Sequence, residues 1–148
     1  MSESKNPTLT GGCQCGAVRY ALFAEPTDPS ICHCRMCQKA FGNYMAPFAG
    51  VRLAELEWTR GTLATFQSSE EVERGFCRDC GTPLTYRVLG KNRISVSIGS
   101  LDDPARVTPV VQYGIEGLLP AFNTLHQLPA ERTSQDRASS SHQHPDRD

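Results

Sequence analysis

Two short stretches decide the fold of this 148-residue chain: residues 11–16 (GGCQCG) and residues 76–81 (FCRDCG). Each carries two cysteines, and Cys-x-x-Cys followed by glycine is typical of a zinc knuckle. In an extended Cys-x-Cys segment, residues i and i+2 point to one side, so both thiolates face the same point. A closed tetrahedral zinc site needs four ligands. We therefore expect a structural zinc site, whose binding stabilises the fold, formed by Cys13, Cys15, Cys77 and Cys80.

A third group of thiols lies in residues 32–37 (CHCRMC). The chain has seven cysteines, so a fourth ligand would be a histidine, an acid, water or an incoming molecule. Catalytic zinc sites keep such an open position, whereas structural ones are closed. We expect an open zinc site here, and hence two zinc ions per chain. Its ligands, and its catalytic residues, would be Cys32, Cys34 and Cys37.

Two other interpretations of this third group stay open. The site could be closed by His33 or His126, although an extended backbone would turn His33 to the face opposite its neighbouring cysteines. Alternatively, the three cysteines could be reactive or incidental thiols without a metal.

Short runs of β-forming residues between turn signals predict the rest of the domain. Residues 93–98 (RISVSI) place Ile94, Val96 and Ile98 inward, and residues 83–88 (PLTYRV) place Leu84, Tyr86 and Val88 on one face. Turns are expected at residues 26–29 and 89–92, and further strands at 17–23, 44–49, 63–68, 72–76 and 110–113. Helical turns are expected only after Cys37 and over 118–125. The pattern predicts a mainly β, zinc-stapled fold of short antiparallel strands with little helix.

The apolar residues also suggest a domain organisation. Every Leu, Ile, Val and Phe lies within the first 129 residues. We expect an N-terminal arm over residues 1–10, the zinc domain over 11–129, and a disordered polar tail over 130–148. In that tail, His142 and His144 could form a weak metal-binding pair.

Charge and hydropathy exclude several classes of function. The net charge is -1 and no basic run is present, which argues against nucleic acid as a partner. No apolar stretch reaches the length that spans a bilayer. Residues 1–10 are polar and lack the apolar core of a secretory signal, so we expect a cytoplasmic protein. Cysteines in that reducing compartment bind metals more often than they form disulfides.

Four motifs occur in order along the chain: residues 11–20 (GGCQCGAVRY), 32–42 (CHCRMCQKAFG), 76–84 (FCRDCGTPL) and 99–104 (GSLDDP). With these motifs the sequence resembles the glutathione-dependent formaldehyde-activating enzyme (GFA) family, also called the CENP-V/GFA domain. The resemblance implies an Mss4-like β fold, two zinc ions and a carbon–sulfur lyase, whose founding activity forms S-hydroxymethylglutathione. It implies the same closed and open zinc sites as the cysteine spacing. Residues 113–128 match no substrate-binding segment of that family.

The open site suggests a chemistry. Three thiolates around Zn²⁺ leave a charge of -1, so the site should prefer an incoming sulfur to activating water. We hypothesise that a small thiol such as glutathione binds there as a thiolate and attacks a small aldehyde, or that the reverse step occurs. Candidate anchors for an anionic thiol are Arg35, Lys39 and Arg78. The rival hypotheses are a non-catalytic zinc-stabilised β domain that binds a partner protein, and a metal or redox sensor.

Overall fold

Ten strands form two β-sheets in the computed structural model, which describes residues 4–133. In chain order they are β1 (Leu9–Gly12), β2 (Arg19–Leu22), β3 (Thr27–Cys32), β4 (Ala46–Arg52), β5 (Leu56–Arg60), β6 (Ala64–Gln67), β7 (Val72–Phe76), β8 (Pro83–Val88), β9 (Arg93–Ser97) and β10 (Val111–Tyr113). The smaller sheet has the order β1-β2-β5, and the larger one β10-β3-β4-β9-β8-β7-β6. Neighbouring strands are antiparallel except for β10, which pairs with β3 in parallel.

Helix is scarce in the described residues, as the sequence predicts. The single α-helix, α1, spans Arg35–Phe41, directly after the cysteine-rich residues 32–34. The other helical pieces are 3₁₀ turns at Leu53–Glu55, Ile98–Ser100, Pro104–Arg106, Ile115–Gly117 and Pro120–Gln127. Among residues 4–133, no helix has the length and hydrophobicity that would let it cross a membrane.

The main core lies between the two sheets, where Tyr20 and Leu22 of β2 meet Val51 of β4 and Val96 of β9. The inward positions predicted for residues 93–98 are confirmed, since Ile94 and Val96 of β9, and Ile98 directly after it, all lie in this core. A second, smaller cluster is formed by Cys37, Ala46 and Phe48 under α1. The mainly β prediction is therefore confirmed, with the core divided in two.

Most predicted strands coincide with observed ones, but one predicted face is wrong. The bounds of β7 and β8 match the prediction, and Gly90 with φ +78° turns the chain between β8 and β9. Leu84 lies in the main core, whereas Tyr86 packs against the smaller cluster. The pairing of β7 with β8 shifts register at Leu84, which lies between the paired residues Pro83 and Thr85, and this shift interrupts the alternation of β8.

Three strands, β1, β3 and β5, are absent from the sequence prediction. The turn expected at residues 26–29 is instead the irregular start of β3. Asp28 has a positive φ of 50°, and the pairing with β4 shifts between Thr27 and Ser30. A bulge of this kind accommodates Pro29 in a strand, because the missing N–H falls where the ladder is already interrupted.

A partly buried ion pair joins the smaller sheet to the segment after β9. The Arg19 guanidinium, on β2, donates two hydrogen bonds to the Asp102 carboxylate, at 2.7 and 2.6 Å. The Thr10 hydroxyl donates to the same carboxylate at 2.6 Å. Burial alone would raise the pKa of Asp102, but these hydrogen bonds outweigh it and hold that pKa below its usual value. The GSLDDP motif thus serves the fold through Asp102.

Two candidate metal centres

The four cysteines of the expected closed site lie in two similar turns. After β1, the Gly16 N–H donates to the Cys13 carbonyl at 3.1 Å, and after β7 the Gly81 N–H donates to the Cys77 carbonyl at 2.8 Å. Both glycines have φ near +80°, a conformation that side-chain-bearing residues resist. The Cys-x-Cys pair beginning at Cys13 is therefore a tight turn. The expectation of an extended segment is wrong there, although both sulfurs still face one point.

The sulfur atoms of this closed cluster fit a tetrahedral ion. All four Sγ atoms lie within 4.8 Å of one another. The Sγ atoms of Cys13 and Cys15 are 3.6 Å apart, and those of Cys15 and Cys77 are 3.8 Å apart. A tetrahedron with Zn–S bonds of about 2.3 Å has edges of about 3.8 Å. The Val18 N–H also donates to the Cys13 Sγ at 3.2 Å, which helps to hold that sulfur in its position within the cluster.

The three remaining cysteines form an open cluster at the junction of β3 and α1. Cys32 ends β3, and Cys34 is the N-cap of α1, its Sγ accepting a hydrogen bond from the Cys37 N–H at 3.4 Å. Their Sγ atoms also lie within 4.8 Å of one another. Among residues 4–133, no histidine or carboxylate side chain joins these three sulfurs. The cluster therefore offers three protein ligands.

Neither histidine considered as a fourth ligand belongs to the open cluster. His33 is fully buried, its Nε2 lies 2.7 Å from the Gln112 Oε1, and its ring packs edge-on against Phe122 at 4.7 Å. His126 lies in the last 3₁₀ turn and is absent from the cluster. His142 and His144, like most of the expected tail, fall outside the described residues. Within the described residues the geometry therefore argues against a site closed by histidine.

The segment after β10 holds the open cluster in place. The His33 N–H donates to the carbonyl of Tyr113, the last residue of β10, at 2.9 Å. The Gln38 Nε2 donates to the carbonyls of His33 and of Gly117, at 2.8 and 2.9 Å, and so ties the following segment to the cluster. Gly114 has φ +62°, and a Cβ there would lie 2.8 Å from the Cys34 nitrogen. Only a glycine lets this segment pack so closely against the cysteines.

A cavity of about 680 Å³ opens beside the cluster, and all three cysteines line it. Aromatic rings of Phe48, Tyr86 and Tyr113 form part of its wall. Polar side chains, among them Thr27, Asp28, Ser95 and Arg93, form another part. The volume suits an organic ligand larger than a small aldehyde.

Comparison with known proteins agrees with these motifs and this geometry. The family model described as glutathione-dependent formaldehyde-activating enzyme matches residues 8–115. The chain belongs to the GFA family. It is 29% identical, over 87 residues, to an uncharacterized lyase of Schizosaccharomyces pombe. That match covers 58% of this chain and 63% of the yeast protein, so it spans less than two thirds of the relative's length.

The fold has a counterpart among solved structures. The crystal structure of a Rhodobacter sphaeroides protein superimposes with a TM-score of 0.57 at 27% identity. The superposition covers 70% of this chain and 99% of the bacterial one. The resemblance stated from the motifs is thus confirmed at the level of the family.

A buried arginine, which the sequence analysis missed, lies beside the open cluster of this GFA protein. Arg74 of β7 donates to the Cys37 Sγ at 3.4 Å and, through Nε, to the Ser68 hydroxyl at 2.9 Å. Its guanidinium stacks over the Tyr86 ring, 5.0 Å from the centroid. Burial raises the pKa of the Cys37 thiol, and the hydrogen bond from Arg74 opposes that shift. A fixed positive charge therefore faces the sulfur atoms of the open cluster.

The three basic residues expected to anchor an anionic thiol lie elsewhere. Arg35 donates to the Gln38 side chain at 3.1 Å and, with Lys39, lines a separate shallow groove that Phe66 of β6 also lines. Arg78 lies between Cys77 and Cys80, the two knuckle cysteines of the closed cluster. None of the three lines the cavity, whose cationic side chains are Arg74 and Arg93.

Proposed function

We propose that this protein is a zinc-dependent enzyme of the carbon–sulfur lyase type. It would join a small thiol to a small aldehyde, or break the adduct, and the family description suggests glutathione and formaldehyde as the pair. The closed cluster would hold a structural zinc ion, and the open cluster a second one with an exchangeable position. All seven cysteines lie in the described residues and none forms a disulfide, which is consistent with a cytoplasmic location.

The observation that carries this proposal is the position of the open cluster. Its three sulfurs line a cavity large enough for an organic thiol, and no fourth side chain of residues 4–133 completes the set. Four sulfurs saturate the closed cluster. A module that only bound a partner protein would need the closed cluster but would have no use for three thiolates facing a cavity.

The donor set of the open cluster fits zinc, which thiolates bind well. Bound there, the ion would take a substrate sulfur as its fourth ligand and keep that thiol ionised at neutral pH. The hydrogen bond from Arg74 to Cys37 would partly offset the negative charge of the three thiolates, so that another anion could approach.

The reaction itself balances within the cavity. The substrate sulfur gives an electron pair to the carbonyl carbon, so a C–S bond forms while the C=O π bond opens. The carbonyl oxygen takes up one proton, which balances the proton that the thiol loses. In the reverse step the C–S bond breaks, the C=O bond re-forms and the hydroxyl proton is released. Tyr86 lines the cavity, and burial raises the pKa of its phenol above the ordinary value, so the hydroxyl is protonated at pH 7. We assign the Tyr86 hydroxyl as the candidate proton donor.

A calorimetric titration tests the proposal. Glutathione added to the zinc-loaded protein should bind and release about one proton per chain at pH 7, since a free thiol with a pKa of about 8.5 loses its proton on coordination. Buffers of different ionisation enthalpy count that proton. Cys34→Ser should abolish the signal, whereas Arg35→Ala, outside the cavity, should leave it unchanged.

Formaldehyde then tests the reaction. Exchange NMR should detect a rate of hemithioacetal formation above the uncatalysed one, and that excess should vanish in Cys34→Ser. Absence of thiol binding in protein that carries both zinc ions would refute the proposal and favour the partner-binding domain.

A further inference from the structure

Arg93 occupies the end of the cavity that is remote from the cysteines. Its guanidinium donates to the Thr27 hydroxyl at 2.7 Å. The other donors of the group make no hydrogen bond or ion pair within residues 4–133. A glycine on the neighbouring strand makes this position possible, because a Cβ on Gly50 would lie 2.6 Å from the Arg93 Nη2. The arginine therefore lies flat across β4 and presents free N–H groups to the cavity it lines.

The strand pairing sets the separation between Arg93 and the open cluster. Cys32 pairs with Ala46 at one end of β4, and Thr27 pairs with Gly50 four residues further along. At the rise of a β-strand these four residues span about 13 Å. A ligand that reaches both ends of the cavity must therefore be extended, with its two recognised groups several bonds apart.

We propose that Arg93 is a specificity-determining residue that binds a carboxylate of the thiol substrate. This inference rests on the proposed function, and it narrows the substrate to extended thiols with a carboxylate distant from the sulfur. A guanidinium with free N–H groups is a strong partner for a carboxylate, because the hydrogen bonds are charge-assisted. Asp28 also lines this part of the cavity, so an ammonium group beside the carboxylate would find a partner there.

The experiment compares two ligands of similar length on the zinc-loaded full chain. Glutathione carries two carboxylates, and its diethyl ester carries none. Calorimetry should give the wild type a preference for glutathione of about tenfold, the size expected of one charge-assisted hydrogen bond at an exposed site. In Arg93→Ala the ratio of the two affinities should fall to near one, because only the binding of glutathione becomes weaker. Arg93 is exposed, so the variant should fold, which a melting curve checks.

Two further variants make the test specific. Arg52 pairs opposite Arg93 across the strands and is held by Glu55 outside the cavity, so Arg52→Ala should keep the preference. Gly50→Ala keeps Arg93 but displaces its guanidinium, and should lose most of the preference while the ester binds as before. Preference retained in Arg93→Ala, or absent in the wild type, would overturn the inference.

S-methylglutathione separates this inference from the proposed function. Its sulfur cannot ionise, but both carboxylates are present. If it binds the wild type as tightly as glutathione and loses affinity in Arg93→Ala, the carboxylate site stands and the thiolate proposal fails. If glutathione and its ester bind equally well, and both more tightly than S-methylglutathione, the thiolate proposal stands and the role of Arg93 fails.

Discussion

The two cysteine clusters have the same ligand chemistry but different surroundings. The closed cluster joins two turns whose cysteines are 62 positions apart in sequence, and its four sulfurs leave no position for a ligand. The open cluster draws its three sulfurs from six consecutive residues and faces a cavity and a buried arginine. Two properties therefore distinguish the clusters: the number of sulfur ligands and the distance in sequence between them. Four ligands from distant segments are suited to a structural cross-link, whereas three ligands from one segment beside a cavity are suited to a reaction centre.

The largest effect is expected from removing one ligand of the closed cluster. Cys77→Ser should lose that metal and the folded state together, since structural zinc binding contributes about 10 kcal/mol or more, as much as the whole stability of a typical domain. Native mass spectrometry and circular dichroism on the same sample measure both losses. If the variant lacks this metal but keeps a cooperative melting transition, the closed cluster has no special structural role.

The second largest effect is expected from removing the ion pair between Arg19 and Asp102, whose contribution to the free energy of unfolding can be measured. Asp102→Asn should cost about 3 kcal/mol at pH 7, because it removes the negative charge that accepts two hydrogen bonds from the buried Arg19 guanidinium. Urea unfolding at several pH values measures the difference from the wild type.

The pH dependence of that difference has a definite sign. The pKa of Asp102 is lowered in the fold from its ordinary 3.8, so its contribution is fully present above pH 3.8 and is lost as the pH falls below that value. The stability difference should therefore shrink below pH 3.8. A constant difference across that range would show that the charge of Asp102 contributes nothing.

Removing a ligand of the open cluster should have a smaller effect on the fold. Cys37→Ser should lose one metal equivalent but keep a cooperative unfolding transition, because the open cluster links only neighbouring residues. Metal counting by native mass spectrometry and a melting curve decide the matter. Collapse equal to that of Cys77→Ser would contradict the separate roles.

Arg74 should affect the metal affinity of the open cluster but not that of the closed cluster. Arg74→Gln removes the charge that faces the thiolates, and groups that hydrogen-bond to metal ligands typically contribute 10- to 100-fold in affinity. Competition with a chelator should show a loss of about tenfold at the open cluster alone. Arg78→Gln, beside the closed cluster, is the matched control. Equal weakening of both clusters would instead indicate a general loss of stability.

Burial patterns and bulges explain which strands could be predicted from the sequence. Alternating apolar residues are visible in β9, where period two and burial agree. They are obscured in β3 by Asp28 and Pro29 at a bulge, and in β5 because only its first residue is partly buried. The prediction for β8 failed at Tyr86, since a register shift depends on the partner strand and leaves no signal in the strand itself.

The family and the grouping of the cysteines follow from the sequence alone. Spacing alone separated Cys13, Cys15, Cys77 and Cys80 from Cys32, Cys34 and Cys37, because ligands within a short turn can reach one point wherever the turn lies. Three other features depend on the three-dimensional fold: the cavity, the charge of Arg74 beside the open cluster, and the position of Arg93 across Gly50. These features bring together side chains from β3, β4, β7 and β9, and their meeting depends on strand order and register, which no local pattern records.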